Sequence, residues 1–135
     1  MKKTLLYTDG GCTNNDQPDI RKREMIAVVS DSNGSVLVET YLHGGSNNIA
    51  EFLAVKEALV WAKENGCDAV EVRTDSRNTF AWVEDRIGKR LNDRGTVMDL
   101  YQTISRLREQ VRMELVWVPR AANLAGMYIE KNLGL

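Results

Sequence analysis

Histidine is almost absent from this chain, cysteine and proline are scarce, and no long apolar run occurs anywhere in it. The 2 cysteines, Cys12 and Cys67, stand far apart without metal-ligand spacing, so neither a zinc site nor a disulfide framework is indicated. Two reduced thiols are the expectation, with a single disulfide between them as the alternative. No stretch approaches the ~20 apolar residues of a membrane span, and the N-terminus lacks the apolar core of a signal peptide. The expectation is a cytoplasmic protein with no membrane partner. Charge of one sign is lacking too. With 18 basic against 19 acidic residues, the net charge of −1 gives no global field that would gather nucleic acid.

What is present suffices for a core. A chain of 135 residues, 43% of them hydrophobic, can bury one without disulfide or metal staples, as a single domain over residues 1–135. Local charge departs from the global balance. Arg86, Lys89, Arg90 and Arg94 stand against one acid, Asp93, and Arg21-Lys22-Arg23 forms a second basic knot. Each is either a solvated face or a phosphate-binding patch.

In chain order, Thr4 to Asp9 reads as a buried strand that breaks at Gly10-Gly11-Cys12, two glycines that let the backbone turn sharply or approach something closely. Thr13 to Glu24 is a polar loop. Met25–Ser30 and Ser35–Leu42 flank Asp31-Ser32-Asn33-Gly34, whose Asn-Gly signals a hairpin, giving an antiparallel meander. Glu51, Val55, Ala58, Leu59 and Ala62 share one face of a helix over 50–64, which Asn65-Gly66 ends. A strand over 69–75 follows, then helices over 76–85 and 96–110, a strand over 113–118 and a terminal helix over 121–131. This order calls for an α/β fold with a mixed five-stranded sheet flanked by helices. Strands reached through helices run parallel to the first.

Three carboxylates then converge. Asp9 and Asp75 end parallel strands at one sheet edge, and Glu51 enters a helix over the sheet. Each has a plain structural role available: an Asx turn for Asp9, macrodipole stabilisation for Glu51 and an N-cap for Asp75. Together they repel, and a hard divalent cation bound by carboxylate oxygens relieves that cost. Such chemistry needs no histidine base, which suits a chain whose one histidine, His43, lies outside these motifs.

At these residues the chain resembles the ribonuclease H family, type 1. Thr8-Asp9-Gly10-Gly11-Cys12, Ser46-Asn47-Asn48-Ile49-Ala50-Glu51 and Thr74-Asp75-Ser76 look like its first three motifs, in order and on matching elements. The resemblance implies a Mg²⁺-dependent endonuclease, with Mn²⁺ as a substitute, that cuts the RNA strand of RNA–DNA hybrids by a two-metal mechanism. It makes Asp9, Glu51 and Asp75 catalytic metal ligands, and Cys12, Asn15, Asn47, Asn48 and Arg77 contacts to the nucleic acid. A monomer without an organic cofactor is expected.

The chain departs from the family where a fourth carboxylate belongs. After Val118-Pro119-Arg120-Ala121-Ala122-Asn123 the acid's position falls on Met127, or on Gly126 if the register slips by one. Glu130, about one helical turn on, is the candidate substitute. A reduced rate or a changed metal preference is expected. The alternative is a catalytically impaired module of the same fold that binds hybrid or duplex nucleic acid.

Overall fold

The computed structural model describes residues 3–134; Met1, Lys2 and Leu135, at the ends of the expected 1–135 domain, lie outside them. Strand β1 (Thr4–Cys12) is followed by β2 (Glu24–Ser30), β3 (Val36–His43), helix α1 (Asn47–Glu64) and β4 (Ala69–Thr74). Then come α2 (Arg77–Val83), α3 (Arg94–Arg108), β5 (Arg112–Trp117) and α4 (Leu124–Leu133). The strands form one sheet in the order β3-β2-β1-β4-β5. β1 and β3 each pair antiparallel with β2, whereas β4 runs parallel to both β1 and β5. This is the mixed sheet expected from the element order.

Alternation along the strands loads both faces of the sheet. Ala27 and Val29 belong to the main core with Leu6, Phe52, Leu59 and Val72. Their neighbours Ile26 and Val28 belong to a smaller core with Ala125 and Ile129 of α4. The edge of a T-shaped pair between Phe52 and Trp82, with ring centroids 5.4 Å apart, sets α2 against α1. In α1, Ala50, Ala54, Ala58 and Ala62 form a fully buried row at a spacing of four, and so small a ridge lets the helix lie close to the sheet.

That close approach corrects the expected break after Asp9. β1 continues through both glycines, pairing Gly10 with Ala27, Gly11 with Ile26 and Cys12 with Met25. A Cβ at Gly10 would sit 2.2 Å from the carbonyl carbon of Ala50 and 2.5 Å from the nitrogen of Glu51. Gly10 therefore makes room for the first turn of α1, and the chain turns only after Cys12.

Other boundaries moved for identifiable reasons. α1 starts at Asn47 because the Ser46 hydroxyl accepts a bond from the Ile49 N–H at 3.3 Å, an N-cap ahead of the apolar stripe. Ser46, and neither Asn47 nor Asn48, is the residue that caps α1. Its C-terminal end is as expected, with Gly66 at φ +70°. The terminal helix is split: a 3₁₀ turn over Arg120–Ala122 precedes α4, and Asn123 caps it through bonds from the N–H groups of Ala125 and Gly126.

Candidate active site

Asp9 and Asp75 meet because β1 and β4 are parallel neighbours whose C-terminal ends share one sheet edge. Glu51 arrives from the first turns of α1, whose position Gly10 permits. Each of the three offers a carboxylate oxygen, and these atoms all lie within 4.8 Å of one another. Asp9 is 6% exposed.

Burial first, then Asp75 and Glu51, push the Asp9 carboxyl up to about 7. Glu51 also rises to about 7, chiefly through burial and with Asp75 adding to it, while the Ser76 hydroxyl and Arg120 pull the other way. Asp75 is raised by burial against the opposing Asn123 amide and Arg120. Three crowded acids, Asp9 buried and Glu51 and Asp75 half-buried, all offer hard oxygen donors and fit a divalent cation of the Mg²⁺ or Mn²⁺ kind.

Two residues quoted only for the motif that lacks its acid prove central to the geometry. Asn123 is fully buried, and its amide donates to the Thr8 carbonyl at 2.9 Å and to Asp75 Oδ2 at 3.5 Å. With its oxygen capping α4, it joins β1, the acid after β4 and the last helix. Arg120 lines a hollow of about 220 Å³ with Asp9, Cys12, Asn47 and Glu51, and its charge counters all three acids. The Asn at the start of a helical run was an available cap signal. Nothing local marked Arg120.

The other candidates fall in distinct places. Asn47 Oδ1 accepts from the Cys12 N–H at 2.7 Å, and Asn15 Oδ1 accepts from the Asn47 N–H at 3.0 Å. Asn48 is exposed in the first turn of α1, and Cys12 is buried at the end of β1. Arg77, at the start of α2, stacks its guanidinium 4.8 Å from the Trp117 ring centre. Glu130 is exposed on α4 and is not a member of the acidic cluster.

The Asn15–Asn47 side is held by the loop between β1 and β2. Arg23 donates to the carbonyls of Gln17 at 2.7 Å and Gly45 at 3.2 Å, and Arg21 pairs with Asp19. This basic knot is therefore largely engaged in shaping its own loop. Arg86, Lys89 and Arg90 lie exposed between α2 and α3.

The fold and the acids at its sheet edge agree with comparisons to known proteins. The family described as RNase H matches residues 1–126, and the chain belongs to it. It is a hydrolase of the ribonuclease H type. The N-terminal RNase H domain of a Mycobacterium tuberculosis protein, solved fused to maltose-binding protein, is 26% identical over 92% of both chains, with a TM-score of 0.68. LC11-RNase H1, isolated from compost by a metagenomic approach and solved in complex with an RNA/DNA hybrid, is 27% identical. That match covers 97% of this chain and 99% of the other at a TM-score of 0.66. RNase H1 from the halophilic archaeon Halobacterium salinarum shares the fold at 23% identity and a TM-score of 0.68, over 92% of this chain and 91% of the other. No curated protein sequence matches the chain. Among the described residues, no helix is long and apolar enough to cross a membrane.

Proposed function

We propose that this chain hydrolyses the RNA strand of RNA–DNA hybrids, with Asp9, Glu51 and Asp75 holding two divalent cations, Mg²⁺ or in its place Mn²⁺. The observation that carries this reading is the cluster of three carboxylates, Asp9 buried and Glu51 and Asp75 half-buried, beside amide NH₂ groups that have no partner among the described residues. Such cations, once held by these carboxylates, would supply an activated water and offset the charge on the leaving 3′-oxygen. Water's oxygen bonds to phosphorus, the P–O3′ bond breaks, and the 3′-oxygen leaves as a hydroxyl. Arg120 stands where a cation can offset charge on the phosphate.

Recognition follows from which amide atoms are already used. The oxygens of Asn15 and Asn47 are both occupied by backbone N–H groups, so each side chain presents its NH₂ as a donor. Donors there suit acceptors in a minor groove, including the 2′-hydroxyl oxygens that separate RNA from DNA. Asn48, Cys12 and Arg77 complete the proposed contact set. The hybrid bound by LC11-RNase H1 supports this substrate.

The decisive experiment is cleavage of a labelled hybrid with Mg²⁺ and with Mn²⁺, alongside Asp9→Asn. RNA-strand cutting that disappears in Asp9→Asn is the expected result. The second reading, a binding module, draws on one observation: Gly126 and Met127 occupy the place of a fourth acid. Hybrid binding without cutting in either metal would select it.

A further inference from the structure

Beyond Asp75 the site is bordered by a surface of which the proposed contact set takes in Arg77 alone, leaving its aromatic members unused. β5 is an edge strand, and its last residue, Trp117, pairs in register with Thr74, the residue before Asp75. The indole is 43% exposed. The Arg77 guanidinium carbon lies 4.8 Å from its ring centre, and Phe80, one turn along α2, lines with them an open hollow of about 340 Å³. That volume is at the lower end of small-ligand sites, ~300–1,000 Å³. Among the described residues, Arg77 forms no ion pair.

Planar groups beside an unmatched cation suit a ligand with a π-face and a negative charge, as a nucleotide has. Paired bases do not fit the description. Inside a duplex their faces are covered by neighbouring bases, and only their edges are offered to protein. The duplex also has a place elsewhere. The Asn15, Asn47 and Cys12 groups lie toward β2, whereas Trp117 lies on β5, with the carboxylates on β1 and after β4 between them.

We propose that Trp117, Arg77 and Phe80 form a stacking subsite for an unpaired nucleobase, in a single-stranded extension that leaves the hybrid past Asp75. This rests on the hybrid reading above and adds a preference within it. A hybrid with a single-stranded extension on the correct side binds more tightly than a blunt one.

The test uses the Asp9→Asn protein, which leaves the substrate intact. Affinity is measured by fluorescence anisotropy for a blunt hybrid and for the same hybrid carrying a short single-stranded extension at each end in turn. One extension is expected to tighten binding about fivefold or more, the scale of one base stacked on an aromatic ring. Trp117→Ala added to this protein removes that advantage, and Arg77→Ala, at an exposed position, removes it over and above the loss it causes on the blunt hybrid. A 2-aminopurine in the extension is quenched on binding only while Trp117 is present. Equal affinity for blunt and extended hybrids overturns the subsite and leaves the hybrid reading standing. An equal loss on both substrates in Trp117→Ala assigns the surface to paired strands and overturns it as well. Failure to bind even the blunt hybrid overturns the hybrid reading, and the subsite with it.

Discussion

The Cβ direction of Gly126 points at Asp9: a methyl group there would lie 3.1 Å from Asp9 Oδ2 and 3.5 Å from its carboxyl carbon. Position 126 therefore cannot hold a fourth carboxylate without displacing the first. Position 127 can. Met127 is 48% exposed and stands one helical turn beyond Asn123, whose amide reaches Asp75. Of the two registers open for the missing acid, only 127 has room. Met127→Asp is expected to raise Mg²⁺-dependent cleavage of hybrid by about tenfold, within the range of second-site effects on metal affinity or activity. Gly126→Ala is expected to lower it. Steady-state rates over a Mg²⁺ titration check both.

The raised carboxyls at Asp9 and Glu51 set a pH dependence for the cation-free protein. In the unfolded chain these groups titrate near ~4, and in the folded chain both are pushed up to about 7. The folded state holds more protons across that window, so its stability is greatest below about pH 4 from these groups and falls as pH rises toward about 7. In chelator, Tm is expected to drop across this range, and Mg²⁺ to raise Tm far more at pH 8 than at pH 5. Asp9→Asn, a neutral side chain of the same shape, is expected to raise the chelated Tm at pH 8 while abolishing cleavage. Calorimetry of both proteins at the two pH values gives the answer.

The sheet, its parallel half and the three acids could be read from the chain because each rests on local pattern. Alternation marks the strands, and an acid toward the C-terminal end of two of them marks the edge. The break after Asp9 was wrong, and the choice between the two roles open to Gly10 could not be made from sequence, for a physical reason. A glycine needed for close approach has the same letters as one needed for a turn, and only the arrival of Ala50 decides between them. Asn123 and Arg120, quoted within a motif, were given no role for another. The bond from Asn123 to the Thr8 carbonyl spans 115 positions, so no window of sequence contains both partners. Arg120 acts through charge on residues from three elements, which the fold alone brings together.

Asn47 separates binding from folding by its two amide atoms. Its oxygen accepts from the Cys12 N–H, a partly buried bond at 2.7 Å. Asn47→Ala leaves that donor without its partner, and a stability loss of ~1–3 kcal/mol is expected. Asn47→Asp keeps the acceptor and removes the NH₂ donors. It is expected to leave Tm nearly unchanged and raise KM for hybrid by at least about tenfold, since two lost donors and an added negative charge both oppose nucleic acid. Equal KM values for Asn47→Asp and the parent chain would show that the amide does not touch the substrate.

Arg120 favours the ionised form of all three acids, so its removal acts on their titration as well as on any phosphate it meets. Without that charge, Asp9, Glu51 and Asp75 each hold their protons to higher pH. Cation binding requires the ionised carboxylates. The ascending limb of the pH–rate profile is therefore expected to move to higher pH in Arg120→Ala, with apparent Mg²⁺ affinity lower at pH 7 and recovering at pH 9. Arg120→Lys retains the charge without the planar fork and is expected to keep the parent profile at a reduced rate. The two variants separate the roles. A rate loss in Arg120→Ala with no movement of the profile would confine the residue to contact with substrate, because a change in the acids' ionisation must appear in the pH dependence.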